Sequence, residues 1–206
     1  MDYTDFYIYG CAGRRDEALV TYPNDIVEPN KWDYWKIHFG VEQFPDNYMF
    51  YHVLGKRFYD IIEPLAVQPL LVSEKVINLL VDNNVTGWKS TEVRIYGHDE
   101  LKYHVLMITG RCGYFDLGRS EIVYNQMPGG KFPYVKGLYF DMDSWDGSDL
   151  FLSPNKGFSV ATKRVKQLFV KNKVTNISFT KISDYELAVG IFSEEERMKL
   201  NYPKVP

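Results

Sequence analysis

Residues 73–88 read "SEKVINLLVDNNVTGW", and residues 162–177 answer with "TKRVKQLFVKNKVTNI" at a constant offset of 89. The first phrase has the pattern of one amphipathic helix. Ser73 stands where an N-cap belongs, and Val72, Val76, Leu79, Leu80 and Asn83 fall on one face at the spacing i, i+4, i+7, i+8, i+11. Asn83 and Asn84 tolerate the left-handed conformation that ends a helix, and Val85 can fold back on the last turn. Beyond it, "GWKSTEVRIYG" alternates Val93 and Ile95 with charged neighbours, as a half-buried strand does. In the echo Thr162 takes the cap, Ala161, Val165, Leu168, Phe169 and Asn172 take the face, and Val174 the fold-back. Ile177 and Phe179 begin the following strand. Six of the nineteen positions in 72–90 and 161–179 are identical, against roughly one or two for unrelated segments at common residue frequencies. The pattern predicts a helix-turn-strand unit present twice by internal duplication.

Outward from these units the chain reads as strands. "DYTDFYIYG" near the start, "YMFYHVLGKRFYDIIEP", "KYHVLMITG", "SEIVYN", "YVKGLYFD" and "ELAVGIF" are β-rich and separated by turn formers, with a helix predicted within residues 31–39. "SEEERMKL" places Glu196 three residues after Ser193, a capping box opening a short final helix that Pro203 ends. The expected class is α+β, mainly antiparallel, with a short C-terminal helix. It is expected as a single domain over 1–206, built of a lobe at 1–97 carrying the first unit and a lobe at 98–206 carrying the second.

Composition removes several function classes. The 206 residues carry a net charge of −3, which disfavours wholesale nucleic-acid binding. No stretch approaches the roughly 18 apolar residues of a membrane helix, and the acidic start "MDYTDFYIYG" lacks the basic lead of a secretory signal, so a cytoplasmic protein is expected. Cys11 and Cys112 are too few for a disulfide framework or a cysteine zinc site, and read as small hydrophobes. The aromatic share of 16% suits strand cores and also the anchors of protein interfaces.

Catalytic patterns are sparse. His98 and His104 are six apart, which fits neither the i, i+4 pair of zinc proteases nor a zinc finger, and His38 and His52 stand apart in sequence from any nucleophile motif. No metal or cofactor is expected. The loop "DMDSWDGSD" gathers Asp141, Asp143, Asp146 and Asp149 around Trp145. As a calcium loop it fails, because Trp145 takes the third ligand position, Gly147 falls one residue late and Leu152 replaces the bidentate Glu. Three readings remain: a solvated acidic turn, a carboxylate pair for general acid and base work in a metal-dependent hydrolase or nuclease, and a binding loop whose acids steer a basic partner while Trp145 anchors it.

A family resemblance bears on that choice. The stretch "DLFLSPNKGFSVATKRVKQLFVKNKVTNISFTKI" resembles the closing region of bacterial polymorphic-toxin immunity proteins, in particular the families numbered eleven and forty-three. Asp149, Leu150 and Phe151 match an Asp-hydrophobic-Phe step, Thr162 a helix cap, and Val174, Thr175 and Phe179 a hydrophobic-Thr-Gly-x-x-Phe turn. Asn176 replaces the Gly of that turn, which the first copy keeps in Val85, Thr86 and Gly87. The resemblance covers residues 137–182 and leaves the N-terminal third untouched. It implies a cytoplasmic antidote that binds a cognate toxin domain and blocks it without chemistry of its own. The expected partner-binding residues are then Asp141, Asp143, Trp145, Asp146 and Asp149, with surface tyrosines of the N-terminal third. The alternatives are the hydrolase or nuclease on the Asp cluster and a small-ligand or glycan-binding module on surface aromatics.

Overall fold

The computed structural model describes residues 2–21, 33–46, 48–65, 69–154 and 157–200. In chain order they form β1 (Phe6–Cys11), β2 (Leu19–Thr21), α1 (Tyr34–His38), β3 (Met49–Leu54), β4 (Ile61–Ile62), β5 (Leu71–Ser73), α2 (Glu74–Asp82), β6 (Trp88–Ile95), β7 (Tyr103–Ile108), β8 (Gly110–Arg111), β9 (Glu121–Met127), β10 (Gly130–Lys136), β11 (Leu150–Leu152), β12 (Ser159–Thr162), α3 (Lys163–Lys171), β13 (Ile177–Lys181), β14 (Glu186–Ala188) and α4 (Glu194–Met198). The fold is α+β. Its strands make sheets ordered β2-β3-β6-β7-β5-β4, β13-β1-β12-β11-β8 and β14-β10-β9.

The repeated phrase folds alike in both places. Val76 and Leu80 of α2 are buried, as are Val165 and Phe169 of α3, each 89 residues on. The ends also correspond. Asn83 and Asn172 donate their side-chain amides to the carbonyls of Leu79 and Leu168, at 2.9 and 2.8 Å. The next residues, Asn84 and Lys173, turn left-handed at φ 49° and 51°. Val85 and Val174 then donate to Leu80 and Phe169. The equivalence reaches the flanking strands: β4 pairs β5 through Ile61 with Val72, and β11 pairs β12 through Leu150 with Ala161.

The sheets do not respect a boundary at 97/98. In the first sheet β7 lies between β5 and β6, so residues 103–108 complete the N-terminal unit. In the second sheet the middle strand between β12 and β13 is β1, from the far end of the chain. Phe6 pairs with Thr162 as Tyr103 pairs with Ser73. The physical cause is edge satisfaction: β12 and β13 are joined through a helix and leave a strand-wide gap, which the aromatic, well-buried β1 fills. One core layer then serves both units, since Val76, Leu80, Val165 and Phe169 pack with Ile61, Val72, Leu150 and Ala161.

The seam between the units is polar and reciprocal. Ser73 and Thr162 occupy the N-cap positions, but neither side chain caps its helix. Each hydroxyl donates instead to a carboxylate, Ser73 to Asp60 at 2.9 Å and Thr162 to Asp149 at 3.1 Å. Asp60 then reaches across to the other unit, accepting from the Thr175 N–H and hydroxyl at 2.8 and 2.9 Å. Asp149 likewise accepts from the Thr86 N–H at 3.1 Å. Lys75 bonds Asp60 and Arg164 bonds Asp149, at 2.9 and 2.7 Å. Lys75 continues to the Lys173 carbonyl, and Arg164 to that of Asn83, at the C-terminal end of the opposite helix, where cations are favoured.

Two predicted C-terminal features come out differently from each other. "ELAVGIF" is a strand only over Glu186–Ala188 and then a 3-10 turn over Val189–Ile191, which delivers both Val189 and Phe192 into the core. The capping box forms as predicted, with Glu196 N–H donating to Ser193 Oγ and Ser193 N–H to Glu196 Oε2. Pro203 lies outside the described residues.

Candidate partner-binding surface

The acidic loop is a sequence of short-range devices. Asp141 caps a single 3-10 turn, Met142–Ser144, by accepting from the Asp143 N–H at 3.1 Å. Ser144 Oγ accepts the Gly113 N–H at 2.8 Å, fastening the loop to the segment after β8. Asp146 makes a two-way bond with Arg111: its N–H donates to the Arg111 carbonyl at 3.0 Å, and its Oδ2 accepts the Arg111 N–H at 2.7 Å. Asp146 Oδ1 also accepts the Ser148 N–H at 3.0 Å, the local turn that Asp favours. Gly147, at φ +84°, supplies the left-handed step.

The five residues expected at an interface therefore separate. Asp141, Asp143 and Asp146 are exposed, Trp145 is half-buried and Asp149 is buried. Trp145 packs edge-on to Phe6 at 5.1 Å and against Phe151 at 5.7 Å, and its indole N–H donates to the Ser148 carbonyl. Its ring is thus committed to the core. The Asp149 carboxylate is committed to the seam, held by Thr86, Thr162 and Arg164. These carboxylates point to separate partners, and among the described residues no three His, Cys, Asp or Glu side chains converge as a metal cage.

The exposed aromatic beside this loop is Tyr114, at 69% exposure. It follows Gly113, which is bonded to Ser144, and Asp116, two residues on, is also exposed. Sequence reading missed Tyr114, although its neighbours Cys112 and Phe115 are core residues and Tyr114 falls between them. Among the described residues, most tyrosines of the N-terminal third contribute little surface. Tyr7 and Tyr9 are buried, Tyr3 donates to the Phe140 carbonyl and Tyr59 to Asp16. Tyr51 differs, being exposed and stacked on Tyr96 at 5.2 Å.

Burial holds both cysteines, His38 and His104 toward their neutral forms. Burial pushes the Cys11 thiol up to about 11 and the Cys112 thiol up to about 12, so both stay protonated at neutral pH. His104 sits on β7 facing Glu92 and Val72 across the sheet, and burial lowers its basicity. His38 is buried at the end of α1, with Nε2 3.0 Å from the Gly157 carbonyl, and burial lowers it as well. Among the described residues no helix is long and apolar enough to cross a membrane. Compared with known proteins, the chain matches no family model and no curated protein.

Proposed function

We propose that the protein is a non-enzymatic immunity protein, which binds a cognate bacterial toxin domain in the cytoplasm and neutralises it by covering the active site or another essential surface. One observation carries this reading: a loop pinned to the fold at Asp146, Ser144 and Trp145 presents Asp141, Asp143 and the neighbouring Tyr114 to solvent. Acids on a pre-organised backbone steer a basic partner and lose little entropy on binding, and an exposed tyrosine supplies the apolar contact. A stoichiometric inhibitor needs affinity on the order of nanomolar or better, through an interface of about 1,600 Å². Asp146 and Trp145 contribute in this reading by fixing the loop, and Asp149 by fixing the seam behind it.

The partner is sought in the neighbouring reading frame and by pull-down from the native cell. With it in hand, Tyr114→Ala combined with Asp141→Asn and Asp143→Asn is expected to weaken binding at least about tenfold while leaving the fold intact. Unchanged affinity by calorimetry would remove this loop from the interface. Failure to capture any toxin domain in the native cell would count against the immunity role itself.

A further inference from the structure

His52 lies on β3 and His98 in the turn after β6, 46 residues apart in sequence, and the fold sets them face to face. His98 Nε2 stands 3.3 Å from His52 Nδ1. The turn holds His98 firmly, its N–H donating to the Ile95 carbonyl and its carbonyl accepting from Leu101, each at 3.0 Å.

The outer nitrogens decide what the inner ones can be. His52 Nε2 lies 3.0 Å from the Leu54 carbonyl and 3.1 Å from that of Gly55. Both are acceptors, so Nε2 carries the hydrogen and Nδ1 presents a lone pair. Gly55 presents its carbonyl from φ +86°, where a Cβ would strike the Glu17 carbonyl, so the segment is tightly confined. Glu100 Oε1 stands 3.6 Å from His98 Nδ1, where its negative charge draws a proton to that side of the ring, and in that tautomer Nε2 presents a second lone pair. Two lone pairs that face each other repel, and a positive centre shared by both relieves that repulsion.

We propose that this centre is a divalent transition-metal ion of the zinc class, bound by His52 Nδ1 and His98 Nε2, with water on its remaining positions. Two imidazole nitrogens at zinc-ligand distance on a tetrahedron are about 3.3 Å apart, whereas a shared N–H···N proton favours a separation of about 3 Å. The carbonyls behind His52 and the carboxylate behind His98 are the outer groups that orient metal-bound histidines. Phe58 walls the pair, its ring 5.1 Å from His52 and 4.5 Å from His98. The His98 side chain keeps 28% exposure, which gives water access to the pair. Imidazole donors select zinc, nickel or copper over magnesium and calcium.

The test is calorimetric titration of the full chain with zinc at neutral pH. One equivalent is expected to bind. His52→Gln and His98→Gln should each weaken it at least tenfold, and Glu100→Gln about tenfold. Magnesium should give no heat. Circular dichroism establishes that the variants fold; should His52→Gln fail, His98→Gln, at a surface turn, carries the test. The proposal is overturned if the native chain takes up no zinc, which leaves a proton as the bridging charge, or if His98→Gln binds zinc as the native chain does.

Discussion

Gly87 and Asn176 occupy the same place in the two helix-turn-strand units, and they meet the seam in opposite ways. Both are left-handed, at φ 86° and 60°. At Gly87 the Leu150 carbonyl stands 2.0 Å from where a Cβ would be, so only glycine fits. At Asn176 the register-equivalent carbonyl, that of Ile61, is bridged by the side chain itself, with Nδ2 donating at 2.8 Å. Asn176 Nδ2 also bonds the Cys11 sulfur, and its Oδ1 accepts the Arg14 N–H. One side of the seam closes by bare backbone approach and the other by a buried amide. Equivalent backbone geometry thus tolerates different residues when the distance across the seam differs.

The sharpest way to break this comparison is at the glycine. Gly87→Ala should cost about 3 kcal/mol or more, since the new Cβ adds a carbonyl clash to left-handed strain. Urea denaturation checks this, and a loss under about 1 kcal/mol would mean that the seam yields easily.

A smaller effect is expected where the units agree. Asp60 is mostly buried, and burial by itself would raise its carboxyl. Hydrogen bonds from Lys75, the Thr175 N–H, Ser73 and the Thr175 hydroxyl outweigh that and hold it below the ordinary 3.8. Asp60→Asn should cost about 2 kcal/mol at neutral pH. A depressed carboxylate stabilises fully above its unfolded value, near 3.9, and that contribution fades as pH falls through the folded value. The gap between native chain and variant should therefore be constant from about pH 6 upward and close below about pH 4. A gap that widens in acid would contradict the assignment.

The smallest effect has the opposite sign. Lys173 holds φ 51°, where the first unit places Asn84, a residue that accepts this conformation more readily. Lys173→Gly should stabilise by up to about 1 kcal/mol, while Asn84→Gly should change little. Thermal melts of the two variants side by side measure the difference.

The two repeated helices, their terminators, the strand after each and the final capping box were legible because each depends on residues within one or two turns of chain. The seam was hidden, although its members were in view. Ser73 and Thr162 look like N-caps locally, and nothing within a turn of them reveals that Asp60 and Asp149 compete for their hydroxyls. The acidic loop shows the same division. Asp141, Asp143 and Asp146 were marked by composition, but the burial of Trp145 follows from Phe6, which lies far away in the chain. Tyr114 is set beside that loop by bonds to residues about thirty positions on in the chain, Gly113 to Ser144 and Arg111 to Asp146.

Local periodicity, capping chemistry and charge pattern by themselves established an α+β chain with two like units and a crowded acidic turn. The placement of β1 in the middle of the second unit's sheet, the reciprocal Asp60 and Asp149 bridges and the meeting of His52 with His98 came only from the folded chain. Their cause is long-range satisfaction: buried hydrogen-bonding groups and apolar faces take partners wherever the fold brings them, and separation along the chain does not record that distance.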